Sequence, residues 1–348
     1  MQRLILLFDG TWNDPEDRTN VYRLARRIHD HDGARRQRFF YDPGVGTSRL
    51  QRFRGGVFGY GLSANLLAGY EWLARHYTDK DEIWIFGFSR GAYTARSLAG
   101  LIRKCGLLDI VTPNLLDRAE QLYRNKHLAP DSDDSKTFRK HYSRTPRIHF
   151  LGVWDTVGAL GIPGTSFSEH GRYAWHDTEL SGIVDYAYHA VALDEHRAAY
   201  DVSLWTGADG RKKPNNRDVE QRWFIGAHAN VGGGYGDADP LADIPLQWMM
   251  EKACGAGLKL DAFTAAEEAW SARPRDSFRE FLRGAYAWFR RIRTAGNGRF
   301  FRRYARGPND QRAVGVTVDE TVWKRWRDPE LQYRPRTLVD ADQQPPVE

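Results

Sequence analysis

The chain has 348 residues, of which 41% are hydrophobic and 28% are charged, and this is enough for one large α/β domain or two smaller ones. No window contains the roughly 18 apolar residues of a membrane-spanning helix, and the two cysteines, Cys105 and Cys254, are too few for a disulfide framework and fit a reducing compartment. The net charge is +6, from 51 basic and 45 acidic residues, and it is unevenly placed along the chain.

The N-terminal stretch predicts the first strand of a sheet. Its apolar run covers only residues 4–8, with one arginine before it and no small-residue cleavage site after it. That run is too short for the apolar core of a secretion signal. We therefore expect a cytoplasmic protein.

Strand and helix patterns alternate along the first 258 residues. Short runs rich in β-branched and aromatic residues predict strands, and apolar residues at i, i+3, i+4 and i+7 predict helices. This alternation predicts an α/β fold with a mostly parallel sheet and helices on both faces. The predicted strands are residues 3–8, 38–41, 82–87, 147–154, 186–193 and 222–227, the predicted helices are 21–29, 62–76, 91–103, 114–126 and 240–255, and the polar stretches 128–135 and 207–217 are predicted loops.

The segment after residue 257 lacks this alternation. It is rich in arginine and ends in the polar sequence DADQQPPVE. We interpret residues 1–258 as one α/β domain. Residues 259–348 are predicted to form a helical, arginine-rich appendage packed on that domain, with a partly disordered tail.

A G-x-S-x-G pattern lies between the third predicted strand and the helix after it. The stretch EIWIFGFSRGAYTARSLAG places Ser89 between Gly87 and Gly91. In a nucleophile elbow the chain turns so sharply that the serine is strained, and glycines on both sides relieve the crowding. An ordinary N-cap serine is the alternative, but the strand before and the helix after favour a catalytic Ser89 in an α/β-hydrolase-like fold.

A catalytic serine needs a histidine to accept its proton and an acid to orient that histidine. In α/β hydrolases these residues follow in the order Ser, Asp or Glu, His, each at the carboxyl end of a strand. RIHFLGVWDTVGALG has an apolar run that ends at Asp155, and QRWFIGAHANVGGGYGDADPL has one that ends at His228 before a glycine-rich loop. We therefore predict that Asp155 and His228 are the partners of the serine. The alternatives in or near strands are the acids Asp194, Glu195 and Asp237 and the histidines His149, His189 and His196.

An oxyanion hole needs two backbone N–H groups aimed at the developing negative charge. We predict that one belongs to Arg90, the residue after the nucleophile. The other is predicted in the loop after the first strand, LILLFDGTWND, at Gly10 or Thr11, because glycine allows a close backbone approach. A tight polar turn formed by Asp9 and Asn13 is the alternative for this loop.

The sequence predicts no cofactor and no metal site. GYGLSA matches the G-x-G-x-x-A of dinucleotide binding, but no convincing strand precedes it, and GGGYGD lacks the Lys-Ser/Thr of a phosphate-binding loop. The acids near the N-terminus do not follow the spacing of a Ca²⁺ loop. They are Asp9, Asp14, Glu16 and Asp17.

Positive charge is concentrated between Arg273 and Arg306. Eleven arginines lie there with only two acids, Asp276 and Glu280, and eight aromatic residues are interleaved with them. An amphipathic helix pair, with its aromatics packed on the domain and its arginines in water, accounts for this composition without a ligand. Peripheral contact with an anionic membrane is the functional hypothesis, and nucleic-acid binding is a weaker one.

Seven segments, in consistent order from about residue 4 to residue 258, resemble the catalytic domain of Tle1-like phospholipase effectors of type VI secretion. They are FDGTWND with TNVYRLAR, YDPGVGT, GFSRGAYTARSLAGLI, GVWDTVGALG, HAVALDEHR, WFIGAHANVGGGY and LADIPLQWMMEKA. The serine, aspartate and histidine motifs of that family fall on Ser89, Asp155 and His228. The resemblance implies ester hydrolysis, with phospholipids as the substrates of the toxin members. It is also compatible with export by a type VI secretion system, whose cargo carries no cleavable signal.

Two features depart from that family. Toxin members carry a large additional membrane-docking region, whereas only residues 259–348 follow the domain here. The loop after the histidine has Asn230 where many members have an acid. We expect a serine ester hydrolase that acts on lipid esters, as a phospholipase does. The alternatives are an esterase for soluble esters and a non-catalytic binding protein of the same fold.

Overall fold

A parallel sheet of seven strands forms the centre of the molecule. The computed structural model describes residues 1–10, 17–44, 58–158, 179–236, 239–280, 287, 297–307 and 310–347. The strands are β1 (Gln2–Phe8), β2 (Arg36–Asp42), β3 (Glu82–Phe88), β4 (Leu107–Leu108), β5 (Ser143–Arg144), β6 (Ile148–Trp154), β7 (Val184–Ala192), β8 (Asp218–Phe224) and β9 (Val316–Val318). The sheet order is β2-β1-β3-β6-β7-β8-β9 with every neighbouring pair parallel, while β4 and β5 form a separate antiparallel pair.

The helices connect and cover these strands. Four of them begin at a side-chain cap, because Thr19, Thr112, Ser132 and Asp319 each accept a hydrogen bond from a backbone N–H in the first turn. The described helices are α1 (Asn20–Ala25), α2 (Phe58–His76), α3 (Arg90–Cys105), α4 (Pro113–Arg124), α5 (Asp133–Tyr142), α6 (His228–Gly232), α7 (Pro240–Gly255), α8 (Ser277–Glu280), α9 (Glu320–Arg327) and α10 (Arg336–Val339). None of them is both long and apolar enough to cross a bilayer.

Hydrophobic clusters lie on both faces of the sheet. Successive side chains of a strand point to opposite faces, so Leu4 and Leu6 of β1 belong to the cluster that contains α2 and α3, whereas Ile5 and Leu7 belong to the cluster that contains α1 and α7. All four side chains are fully buried. This two-sided burial explains the continuous apolar run of the first strand and confirms the predicted α/β class with helices on both faces.

The predicted strands and helices of the first 258 residues agree with the observed ones, except near a few ends. Residues 128–135 were predicted to be a loop, but α5 begins at Asp133, because the Ser132 cap starts a helix that the polar composition concealed. The glycine-rich loop predicted after His228 is also wrong at its start, since His228–Gly232 is the helix α6. In the stretch 207–217, the only helical element is the single 3-10 turn Ala208–Gly210.

Residues beyond 258 are joined to the same sheet, which the sequence did not predict. Strand β9 pairs in parallel with β8, and the side chains of Trp323 and Leu338 pack into a cluster with residues of β7 and β8. A three-residue strand gives almost no periodic signal. The described chain beyond residue 258 therefore adds a strand to the sheet of the α/β domain as well as packing on it.

Close backbone packing at the end of β1 generates a stability prediction. A Cβ atom at Gly91 would lie 2.1 Å from the carbonyl oxygen of Phe8 and 2.5 Å from that of Asp9, whereas one at Gly255 would meet nothing within 4 Å. We expect Gly91→Ala to lower the free energy of unfolding by about 3 kcal/mol because the backbones must separate. Gly255→Ala, at the end of α7, should change it by less than about 1 kcal/mol. Urea unfolding of both variants measures this, and equal stabilities would contradict the packing.

Candidate active site

Ser89 lies in a strained turn between β3 and α3. Its φ and ψ are 58° and −119°, which non-glycine residues rarely adopt, and its N–H donates to the carbonyl of Trp154 at 3.0 Å. A Cβ at Gly87 would lie 2.5 Å from the carbonyl oxygen of Gly91, so this turn excludes a larger residue. The geometry is that of a nucleophile elbow, with the serine at the carboxyl edge of the sheet.

The structure brings Ser89, His228 and Asp155 together. The Oγ atom of Ser89 is 2.8 Å from Nε2 of His228, and Nδ1 of His228 is 2.5 Å from Oδ2 of Asp155. Asp155 is fully buried, and Ser89 and His228 are each 6% exposed. An ionised carboxylate only accepts hydrogen bonds, so Nδ1 of the neutral ring carries the proton and Nε2 is the acceptor for the serine hydroxyl.

Adjacent parallel strands place these side chains at one edge. Asp155 directly follows β6, with a φ of 38°, and its N–H donates to Ala190 of β7 at 2.7 Å. His228 is the first residue of α6, just past the end of β8. The turn before it is held by Asn230, whose Oδ1 accepts the N–H of Ala227 at 3.1 Å. Asn230, the departure from the family pattern, therefore has a structural contact in the histidine turn.

Arg302 and His228 hold the Asp155 carboxylate in its ionised form. Burial raises the pKa of this carboxyl, but the positive charge of Arg302 and the hydrogen bonds from His228 and Arg302 outweigh burial and hold the pKa well below its usual range. The Nη1 atom of Arg302 is 2.6 Å from Oδ1 and its Nη2 atom is 2.9 Å from Oδ2. Asp155 is thus an anion at neutral pH.

Burial also keeps His228 neutral. Loss of solvation lowers the pKa of the imidazole below its ordinary value of 6.5, and the hydrogen bond and charge of Asp155 oppose this shift without cancelling it. The ring packs at 4.7 Å from the Phe88 ring and at 5.1 Å from the Tyr200 ring, measured between centroids. A neutral, enclosed imidazole can accept a proton at pH 7.

The alternative acids have other partners. Asp194 accepts hydrogen bonds from the N–H of Gly226 and the hydroxyl of Tyr333, at 2.7 and 2.8 Å. Glu195 forms a buried ion pair with Arg197 at 2.7 Å and accepts the backbone N–H of His228, not a ring nitrogen. Asp237, the third alternative, lies outside the described residues.

The alternative histidines are also engaged away from the serine. His149 contacts the carbonyl of Ala256 at 3.0 Å, and His196 contacts that of Phe300 at 3.1 Å. His189 is fully buried beside Gln221, and burial lowers its pKa to about 3. These contacts favour His228 as the base.

The predicted donors of the oxyanion hole differ in their surroundings. Arg90 is the first residue of α3 and directly follows the nucleophile. The N–H of Gly10 donates to the carboxylate of its neighbour Asp9 at 2.7 Å, and that carboxylate also accepts the hydroxyl of Tyr41 at 2.8 Å. Thr11 lies outside the described residues. Across the described ranges, no group of three or more His, Cys, Asp or Glu side chains is arranged to hold a metal ion.

Sequence reasoning missed Arg302, the residue with the most contacts to Asp155. It lies 147 positions from that aspartate, in a run of arginines that reads as a charged surface, and no periodicity distinguishes it. Other members of the run behave as predicted for a surface. In the described part of the segment 273–306, the exposed arginines are Arg273, Arg275, Arg279, Arg303 and Arg306.

Several known proteins resemble this chain over part of its length. An uncharacterized protein of Saccharomyces cerevisiae is 30% identical over 231 residues, which is 59% of this chain and 33% of that protein. A crystal structure of an uncharacterized protein from Pseudomonas aeruginosa is 20% identical, with a TM-score of 0.44, over 75% of this chain and 46% of that one. The structure of the Tle1 effector bound to the VgrG spike of the type VI secretion system is 18% identical, with a TM-score of 0.39, over 69% of this chain and 52% of that one. The chain thus spans about a third to a half of these relatives.

The family assignment rests on a longer match. The family described as T6SS, Phospholipase effector Tle1-like, catalytic domain matches residues 2–252, which include the elbow serine, the aspartate after β6 and the histidine that begins α6. This is most of the chain. The protein therefore belongs to the family of Tle1-like phospholipase effector catalytic domains of the type VI secretion system.

Proposed function

We propose that the protein is a serine ester hydrolase in which Ser89, His228 and Asp155 form the catalytic triad. The observation that carries the proposal is the continuous hydrogen-bond chain from Ser89 Oγ through the imidazole to Asp155, at 2.8 and 2.5 Å. The membership of a phospholipase effector family supports an ester bond as the substrate. No cofactor is needed, because the nucleophile, base and orienting acid are all side chains of this chain.

The mechanism follows from the protonation states. His228 Nε2 takes the proton of Ser89 as Oγ attacks the acyl carbon, and the imidazolium that forms is stabilised by ionised Asp155. The same nitrogen then donates that proton to the leaving alcohol, which gives the acyl-enzyme. A water molecule, deprotonated by the same histidine, attacks the acyl carbon and releases the acid, after which Ser89 regains its proton.

We propose Arg90 N–H as one donor of the oxyanion hole, because it lies at the start of α3 directly after the nucleophile. The Gly10–Thr11 loop is the proposed source of the second donor. Since the Gly10 N–H is engaged by Asp9, we favour the amide of Thr11 within that loop. The N-terminal end of α3 adds a positive partial charge near the developing oxyanion.

We propose a phospholipid as the substrate, approached through the exposed arginines of segment 273–306. Several of these arginines have acidic neighbours: Arg279 is 3.4 Å from Asp276, and Arg303 is 3.3 Å from Asp310. Such exposed pairs contribute little and can be exchanged for phosphate contacts. An anionic surface would therefore concentrate the enzyme near its substrate.

The nucleophile is tested by Ser89→Ala. We expect kcat for ester hydrolysis to fall at least about ten-thousandfold, because no other group supplies the attacking oxygen, while thermal unfolding stays near that of the parent. Ser97→Ala is the matched control, since Ser97 is a buried serine of α3, the helix that follows Ser89, and its hydroxyl donates to the carbonyl of Tyr93 at 2.7 Å. Parent-like turnover by folded Ser89→Ala protein would refute the triad.

The lowered pKa of His228, the proposed base, sets the direction of the pH dependence. His228 must be neutral to accept a proton, and its pKa is lowered from 6.5, so protonation removes activity only below that pH. We expect the acid limb of kcat/KM to have its midpoint below about pH 6.5. A midpoint above pH 7, measured with a neutral ester, would contradict a buried neutral base.

The membrane contact is tested with vesicles of phosphatidylcholine with and without phosphatidylserine. Because each basic residue near an anionic surface contributes about 1 kcal/mol, Arg279→Glu/Arg303→Glu should weaken binding to anionic vesicles at least about thirtyfold. The control Arg75→Glu/Lys80→Glu makes the same charge change at exposed residues outside the segment. If both double variants weaken binding to anionic vesicles equally, segment 273–306 is not a specific membrane-binding surface. Turnover of p-nitrophenyl esters but not of vesicle phospholipid would favour a soluble ester as substrate.

A further inference from the structure

Arg302 is a buried cation at the proposed active site, and it comes from outside the segment that matches the family. The matched region ends at residue 252, and Arg302 follows it by fifty positions. Its side chain has no exposed surface, and neither does that of Asp155. A buried charge is tolerated only when it is paired and hydrogen-bonded, so the position of this guanidinium is fixed by what it contacts.

The contacts of Arg302 use both ends of its fork. Nη1 donates to Oδ1 of Asp155 at 2.6 Å and to the carbonyl of Ala192 at 2.8 Å. Nη2 donates to Oδ2 of Asp155 at 2.9 Å and to the carbonyl of Tyr200 at 2.5 Å. Each terminal nitrogen has two N–H groups, so the four bonds satisfy both nitrogens. The guanidinium is thereby held by the backbone on one side and holds the carboxylate on the other.

The carboxylate of Asp155 is correspondingly saturated. Besides Arg302, Oδ1 accepts the N–H of Ala192 at 2.9 Å, and Oδ2 accepts Nδ1 of His228 at 2.5 Å. The bidentate pair fixes the plane of the carboxylate. Without it, rotation about the Cβ–Cγ bond would be limited by only two donors. The direction in which Oδ2 meets the imidazole therefore depends on Arg302.

We propose that Arg302 is a positioning residue of the proposed hydrolase: it orients Asp155 toward His228 and offsets part of the negative charge that Asp155 presents to the imidazole. The inference rests on the triad assignment. It makes the arginine-rich segment part of the active site, beyond any role of its exposed arginines at a membrane.

Removal of the Arg302 charge should shift the pKa of His228 in a defined direction. Removing the cation leaves Asp155 with a larger net attraction for protonated His228, so the pKa of the imidazole rises and the acid limb of kcat/KM moves to higher pH. The other titratable groups around this pair stay in place in such a variant. They are Glu195 and Arg197 beside His228, and His189 and Asp201 beside the Asp155–Arg302 pair.

The test is the pH profile of kcat and KM for three variants with the same soluble ester. We expect Arg302→Met to lower kcat about a hundredfold with KM within about twofold, because the orienting acid is misplaced, and to move the acid limb up by about one pH unit. Arg302→Lys keeps the charge but not the fork, so it should recover part of kcat and leave the acid limb near that of the parent. Arg299→Met is the matched control, since Arg299 lies in the same segment and pairs with Asp276 instead.

A structural role alone gives a different result. If Arg302 only fastened the segment to the sheet, Arg302→Met would lower stability and leave the acid limb unmoved, and this outcome would overturn the proposal. When Arg302→Met is added to the Asp155→Asn variant, kcat should fall further by less than about threefold, since the two residues act together. If the effects of Asp155→Asn and Arg302→Met on kcat were fully additive, the proposal would also be overturned. If Arg302→Met fails to fold, Arg302→Lys decides: parent-like kcat would reject the orienting role of the fork.

Failure of this inference is distinguishable from failure of the triad. If ester hydrolysis by the parent enzyme does not depend on Ser89, the triad assignment itself is wrong. If hydrolysis depends on Ser89 but the acid limb of kcat/KM does not move in Arg302→Met, only the proposed role of Arg302 is wrong.

Discussion

The buried carboxylate of Asp155 is the constraint on which the site depends. A charge without exposed surface must be compensated by neighbours, and its donors come from three parts of the chain: the N–H of Ala192 at the end of β7, the imidazole of His228 in α6, and the guanidinium of Arg302. Loss of any one donor would leave the others around an undercompensated anion. The same compensation that stabilises the fold thus sets the charge and the orientation of the acid in the proposed triad.

The elbow is the second constraint, and it is a matter of backbone space. Ser89 has a positive φ in the turn between β3 and α3. Two residues later, Gly91 approaches the carbonyl of Phe8 at the end of β1 too closely for any side chain. The tight contact holds the serine at the carboxyl edge of a sheet whose cores on both faces are apolar. The apolar packing on both faces of the sheet and the polar contacts at its carboxyl edge together give a preorganised site.

Local signals explain what could be predicted from the sequence. The α/β class follows from alternating periodicities, and Ser89 follows from a short motif between a strand and a helix. Asp155 and His228 follow from their places after apolar runs, because parallel strands bring their carboxyl ends to one edge. Each of these inferences needs only a few neighbouring residues, and the structure brings all three side chains within hydrogen-bonding distance.

Long-range contacts explain what could not be predicted. Arg302 is one of eleven arginines in its segment, and only the fold distinguishes this buried arginine from the exposed ones among the described residues. Strand β9 is three residues long and gains its place by pairing with β8, and α6 forms within a sequence whose glycines suggest a loop. The engagement of the Gly10 N–H by Asp9 is likewise a matter of side-chain geometry, which the motif does not specify.

The most direct measurement is mass-spectrometric mapping of the adduct formed by a fluorophosphonate probe on the folded protein. We expect one modified peptide, with the phosphonyl group on Ser89, because its hydroxyl has the buried imidazole of His228 as an acceptor at 2.8 Å in the proposed triad. An unmodified protein, or an adduct on another serine, would contradict it.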